Sequence, residues 1–314
     1  MRILVTGANG FIGKALCQAL LAEGDEVCGL VRSATNNVAG MTLVQADLRD
    51  EAALKAALPN IECVVHLAAR THLVADTATD PLAEFRLINR DATLRLAALA
   101  QEAGVKRFVF ISTIGVNGAQ TKGRAFSEAS ASAPHAAYAQ SKLEAEQGLH
   151  ALMANGPTEL VIIRPTLVYA AHAPGNFGRL LKLVSTAPPL PFSLVNNQRS
   201  MSALENLVDF IVLSTRHPQA VNQLYLVADE HAVSTREIVE YLAQGMSRRC
   251  LNLPIPPLLL RLVLRAVGKG TMYTQLCGSL VVDSSKARGL GWVPRFSAKD
   301  ALIAAGRTYR STQC

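Results

Sequence analysis

The chain has 314 residues, half of them apolar, and a formal net charge of +7. That length allows one large domain or two modest ones with a real core, and no apolar run reaches the length of a membrane span. Aromatic residues make up only 5%, and the basic ones are scattered without a reading helix or stacking motif, so the charge fits an anionic ligand or surface and excludes nucleic acid as partner.

Arg2-Ile3-Leu4-Val5 reads as a strand ending at Thr6. A fold that starts directly on a strand is expected to carry no signal or transit peptide. Cysteines fall at positions 17, 28, 63, 250, 277 and 314 without CxxC or Cys/His spacing, so no metal site is expected and a cytoplasmic location is the default. After Thr6 comes Gly7-Ala8-Asn9-Gly10-Phe11-Ile12-Gly13, then an apolar-periodic helix over 11–23, a stop at Gly24-Asp25 and a strand at Glu26–Val31. This is a strand–helix–strand unit opening on glycines three apart. Gly7 permits a tight turn, Gly10 lets backbone N–H groups approach a pyrophosphate, and Gly13 lets helix and strand pack closely; the helix N-terminus favours the negative charge. Dinucleotide binding is the expectation.

The alternation continues with a strand at Leu43–Ala46 ending at Asp47, a helix at 50–57, a strand at Cys63–Leu67 leading into Ala68-Ala69, one long helix over 81–103, and a strand at Arg107–Ser112. A helix carrying Tyr138 runs to about 154, and Leu160–Ile163 is a strand closed by Arg164-Pro165. Strands alternating with helices predict an α/β fold, a doubly wound parallel sheet with ligands beyond the strands' carboxyl ends. Gly7, Asp47, Ala68 and Thr113 map to that edge. Tyr138 and Lys142 stand at i and i+4, on one helix face. An ammonium beside a phenol favours the phenolate, which makes the pair a candidate proton donor and acceptor for a carbonyl or alcohol. The plainer alternative is an amphipathic helix with a snorkelling lysine.

From about 166 the pattern loosens. Pro188-Pro189-Leu190-Pro191 and Asn196-Asn197 are turn-rich, Glu205–Thr215 reads as a helix, and Leu224–Val227 as a strand returning to the main sheet. Ser234-Thr235-Arg236-Glu237 is a capping box opening a helix to about 244. The expected division is a dinucleotide-binding domain of 1–165 plus about 199–229, and a smaller α/β substrate lobe of about 166–198 plus 230–314. Pro256 to Lys269, leucine-rich with Arg261 and Arg265, reads either as a core helix of that lobe or as a helix lying on an anionic membrane.

Taken together, Thr6-Gly7-x-x-Gly10-x-x-Gly13, Asp47-Leu48, His66-Leu67-Ala68-Ala69, Asn89, Ser112-Thr113, Tyr138-x-x-x-Lys142 and Arg164-Pro165 resemble the extended short-chain dehydrogenase/reductase family, its NAD(P)-dependent epimerase/dehydratase branch. Within it, Phe110 to Gly118, Pro191 to Arg199 and Leu276 to Lys286 look most like bacterial reductases of UDP-linked 4-keto-6-deoxy-N-acetylhexosamines in surface-polysaccharide (O-antigen) synthesis. The resemblance implies that Tyr138 is the acid/base and that Lys142 tunes it and bonds the nicotinamide ribose. Thr113, with Ser112 a second candidate, would hold the reacting oxygen. The cofactor would lie against Gly7, Asn9, Gly10, Phe11, Ile12 and Gly13, with Asp47 and Leu48 at the adenine. Leu67, Ala68, Ala69 and Pro165 would line its path. An N-cap for the following helix is the alternative for Asp47. His66 reads as structural, and Asn89 as bonded from mid-helix to the sheet. Asn176 and Arg199 would hold the substrate diphosphate. Leu167, Ala170 and Tyr273 stand where the family pattern has Asn, Gly and Arg, which puts UDP itself in question.

An NAD enzyme places a carboxylate about 20 residues past the glycines to hold the ribose 2′-OH. Here that position is Val31, followed by Arg32 and Ser33. A guanidinium suits a 2′-phosphate, so NADP is expected over NAD; Arg32 stacked on the adenine with either dinucleotide is the alternative. The expected reaction is reduction of a nucleotide-linked 4-keto sugar. The alternatives are a UDP-hexose 4-epimerase holding NAD tightly and, in a different class, a dinucleotide-binding sensor without turnover. A homodimer is common in the family.

Overall fold

The computed structural model describes residues 1–35, 37–71, 80–266 and 268–313; Cys314 lies outside them. In chain order the elements are β1 (Arg2–Thr6), α1 (Phe11–Ala22), β2 (Glu26–Val31), β3 (Thr42–Gln45), α2 (Glu51–Ala57), β4 (Cys63–His66), α3 (Pro81–Arg86), α4 (Ala92–Glu102), β5 (Arg107–Ile111), α5 (Ala137–Met153) and β6 (Glu159–Pro165). They continue with β7 (Leu167–Tyr169), α6 (Gly175–Ser185), β8 (Met201–Ala203), α7 (Leu204–Arg216), β9 (Gln223–Val227), α8 (Thr235–Gly245), α9 (Pro257–Ala266), α10 (Gly270–Cys277), α11 (Ser285–Arg288) and α12 (Ala298–Ser311).

Seven strands form one parallel sheet in the order β3-β2-β1-β4-β5-β6-β9. The central strands are rich in Val, Ile and Phe and almost wholly buried because helices cover both faces. One apolar layer gathers Leu16 and Leu20 of α1 with Leu207 and Ile211 of α7; the other gathers Leu96 of α4 with Leu149 of α5. The chain winds outward from β1 through β2 to β3, then returns to β4 on β1's other side. Ligands bind α/β sheets at such a reversal.

A third apolar cluster draws on later elements, among them Phe177 of α6, Leu242 of α8 and Leu302 of α12. α8 opens on the predicted capping box, Ser234 with Glu237. α8 and α12 approach closely at Gly245 and Gly306: a Cβ on Gly306 would sit 2.4 Å from the Leu242 carbonyl oxygen. β7 and β8 form a separate two-stranded parallel sheet. Among the described residues no helix is long and apolar enough to cross a membrane.

The long helix expected over 81–103 is interrupted. α3 and α4 are joined by a π-helical turn at Leu87–Asp91 with Asn89 buried in it. Asn89 does not reach the sheet. Its Oδ1 accepts from the Arg70 N–H at 2.8 Å, and its Nδ2 donates to the Arg70 carbonyl at 3.0 Å and to Ser141 Oγ at 3.0 Å. The extra residue of the wide turn aims this amide at the chain leaving β4 and at α5, two partners that have no ladder of their own.

Candidate active site

A crevice of about 970 Å³ runs along the carboxyl ends of the strands. Gly7, Asn9, Gly10, Phe11, Ile12, Gly13, Arg32, Asp47, Leu48, Leu67, Ala68, Ala69, Ser112, Thr113, Tyr138, Lys142 and Pro165 all line it. The sequence named these residues from segments as far apart as β1 and β6, and the sheet brings them together.

At one end β1 turns through Gly7, whose φ of +70° is left-handed and suits glycine. A Cβ there would lie 3.1 Å from the Ala68 backbone across the strand reversal, and one on Gly13 would lie 2.1 Å from the Gly7 carbonyl oxygen. α1 therefore starts directly above the strand end. Gly10, its N-cap, supplies no side-chain bond to the first turn, so those N–H groups are available to an anion. Asn9 Nδ2 donates to the Ser33 carbonyl at 2.9 Å and ties the loops after β1 and β2 together. This glycine cradle fits a dinucleotide pyrophosphate.

Asp47 is not a helix cap. Asp50 caps α2 by accepting from the Ala53 N–H at 3.1 Å. The Asp47 carboxylate instead takes the Arg49 N–H at 2.9 Å and Arg49 Nε at 2.7 Å, and these bonds hold its pKa down. Arg49 thus joins Arg32 and Ser33 on the crevice wall. Sequence reasoning passed over Arg49, although its position two residues beyond Asp47 was the available signal.

His66 is buried inside the fold. Its Nδ1 lies 2.6 Å from Thr6 Oγ1 and its Nε2 lies 2.8 Å from Thr93 Oγ1. Burial pushes the imidazole down to about 3, so it is neutral and links β1, β4 and α4 with one donor and one acceptor nitrogen.

At the other end, α5 presents Tyr138, Lys142 and Glu146 at i, i+4 and i+8, one face toward β5 and β6. Tyr138 packs its ring edge-on to Phe85 with centroids 6.0 Å apart. The Lys142 ammonium sits 4.0 Å from the centre of the Phe110 ring, a cation–π contact. Burial sets the electrostatics here. It pushes Tyr138 up to about 12. It pulls Lys142 down to about 7 against the opposing pull of the Glu146 carboxylate. The lowered phenol expected from the sequence is thus reversed: the cost of burying charge exceeds the attraction between the pair.

Ser112 and Thr113 separate in role. Ser112 Oγ donates to Glu146 Oε1 and faces inward. Glu146 also accepts from Arg164 Nε at 2.9 Å and Nη2 at 2.5 Å, while Arg164 Nη1 donates to Asn117 Oδ1 at 2.9 Å. Ser112 is therefore committed to a buried network, and Thr113 is the strand-end hydroxyl on the crevice side, accepting from the Gly115 N–H at 3.2 Å. Glu146 escaped sequence reasoning because a glutamate mid-helix reads as a solvated face.

Asn176 and Arg199 do not line the crevice. Asn176 Nδ2 lies 3.5 Å from Gln275 Oε1, and Arg199 Nη1 donates to the Gly278 carbonyl at 3.0 Å. Both are bound to the segment around α10 instead.

Residues 3–228 match the NAD dependent epimerase/dehydratase family. A UDP-glucose 4-epimerase of Vibrio cholerae is 41% identical over 296 residues, which cover 93% of this chain and 90% of that protein. An N-acetyl-α-D-glucosaminyl-diphospho-ditrans,octacis-undecaprenol 4-epimerase of Escherichia coli O157:H7 is 25% identical over 314 residues, 96% and 92% of the two chains. Among solved structures, the UDP-glucuronic acid 4-epimerase of Bacillus cereus in complex with NAD superposes with a TM-score of 0.81 over 100% of this chain and 99% of its own, at 23% identity, a likeness of fold.

Proposed function

The chain belongs to the NAD-dependent epimerase/dehydratase family, and from that premise we propose that it moves a hydride between a nicotinamide cofactor and C4 of a UDP-linked hexose. The observation that carries this is the shared crevice: the glycine cradle lies at one end, and Thr113, Tyr138 and Lys142 meet at the other. In this reading residues about 166–198 and 230–314 make the substrate lobe.

The loop from Gly7 to Gly13 and the start of α1 would hold the cofactor's pyrophosphate. Leu48 and Asp47 would flank the adenine, Ala68 and Ala69 would leave room for ribose and phosphate, and Pro165 would border the ring. A nicotinamide bound there supplies or accepts the hydride. The chain's own groups do the rest. Thr113 Oγ1 orients the C4 oxygen. Tyr138, protonated at neutral pH, gives its proton to that oxygen as the carbonyl becomes an alcohol. Lys142 lies one turn along the same face and answers the charge left on the phenol.

Two outcomes share this chemistry. A protonated phenol serves the reducing half of either, and Arg32, with no carboxylate at the end of β2, suits the extra phosphate of NADP. Arg32 favours a 4-ketoreductase that consumes NADPH, for which a 4-keto-6-deoxyhexosamine is the substrate we propose on the resemblance of the sequence. The Vibrio relative favours a 4-epimerase, which would return the hydride to the other face and keep its cofactor. One assay separates them: mix the protein with 4-keto UDP-sugars and with UDP-hexoses and follow NADPH absorbance. Stoichiometric NADPH loss on the ketone supports reduction. UDP-hexose interconversion without net loss makes it an epimerase, and neither activity would sink the C4 reading.

A further inference from the structure

α9 is a helix of the second half with no buried residue. A core helix would hide its leucines. Here Leu258 is 66% exposed, Leu259 51%, Leu262 56% and Val263 52%. At about 100° per residue, Leu260 and Leu264 share the inward side, and Leu260 packs on the third apolar cluster. The exposed four lie on the opposite side, facing solvent. Leu251 before the helix and Met272 after it are exposed apolar residues as well.

Charge says what covers it. Between Glu240 and Asp283 the sequence contains no acidic residue but carries Arg248, Arg249, Arg261, Arg265 and Lys269. All five are exposed. On the helix, Arg261 and Arg265 border the apolar strip along one margin. Leucines outward with arginines at the margin match an amphipathic segment lying in a bilayer interface. A second copy docking on this face would bring the same five cations together across a two-fold axis, whereas anionic lipid neutralises them.

We propose that the surface of α9, with residues 248–253 and Met272, docks on an anionic phospholipid bilayer. The leucines enter the acyl boundary and the basic residues meet the headgroups. The surface is tied to the substrate lobe. Thr235 Oγ1 donates to the Leu276 carbonyl at 2.6 Å, and Arg199 bonds the Gly278 carbonyl just beyond α10. Docking would therefore hold that side of the protein near the lipid headgroups. The proposal stands independently of the reaction.

Flotation of the full chain with phosphatidylcholine vesicles, with and without phosphatidylglycerol, tests it. The wild type should float with the anionic vesicles and stay behind with neutral ones, and high salt should release it. Arg261→Gln with Arg265→Gln should lower partitioning roughly thirtyfold. Leu258→Asn with Leu262→Asn should lower it as well, with unchanged thermal midpoints because all four side chains are exposed. Absence of flotation overturns the proposal, and so does equal flotation of wild type and variants. If Leu262→Asn instead abolishes a dimer seen by light scattering and nothing floats, the face joins two copies and the bilayer idea is wrong.

Discussion

At the residue scale, the chemistry depends on how burial treats two neighbouring groups. Tyr138 sits at about 12 and Lys142 at about 7, so near neutral pH the phenol keeps its proton while the amine is close to its midpoint. Tyr138→Phe removes the transferable proton without disturbing the glycine cradle. Turnover should fall about 10²- to 10⁴-fold with cofactor affinity retained, measured by steady-state rate and by fluorescence titration; unchanged turnover would refute the role. Arg32→Gln should weaken NADP binding roughly tenfold and leave NAD binding nearly unchanged, read from paired dissociation constants. Equal losses would mean that Arg32 only covers the adenine. The spacing of Tyr138 and Lys142 was legible in the sequence, but the direction of the phenol's shift was not, because spacing reports proximity and carries no measure of burial. Ser112 illustrates the same limit. Nothing local distinguishes its hydroxyl from that of Thr113 until Glu146 is found against it.

At the element scale, α5 is held to the sheet by charge as well as by apolar packing. Glu146 binds Arg164 of β6 and Ser112 past β5, all buried. Removing one partner leaves the other charge uncompensated, so Glu146→Ala should cost about 3–5 kcal/mol, measured by urea unfolding. A loss below 1 kcal/mol would show that water replaces the carboxylate. The seven strands of the main sheet were readable to within a residue or two, since apolar runs bounded by turns mark them; β7 and β8, three residues each, are too short to show such a run and were not read. The π-helical turn at Leu87–Asp91 was not. Its residues fit an α-helix equally well, and the reason for widening, the Asn89 bonds to Arg70 and Ser141, lies in other segments.

On the scale of the whole molecule, two buried groups tilt stability with pH. His66 is at about 3 in the fold against 6.5 unfolded. The unfolded chain binds the extra proton between those values, so stability rises with pH across that window and is lost as pH falls from 6.5 toward 3. Lys142, at about 7 against 10.5, has the same sign in a higher window, and stability rises from about pH 7 to 10.5. Urea midpoints measured from pH 3 to 10 should show both slopes. Lys142→Met should flatten the alkaline one and His66→Gln the acid one; parallel curves for variants and wild type would contradict the assignment. The architecture was legible because alternating strands and helices imply the parallel sheet. The outward leucines of α9 were not, since its sequence suits a core helix as well as a surface one.

The strand order has a consequence for how the protein is made. β1 lies inside the sheet, yet its neighbour β4 is about sixty residues downstream, and Thr113, Tyr138 and Pro165 come later still. A chain emerging from the ribosome carries its glycine loop first and waits for β4, β5 and β6 before any wall stands opposite it. The crevice therefore gains its second wall only once β6 has been made, and a nascent chain stalled short of β6 would show apolar strand edges to chaperones but no cofactor pocket.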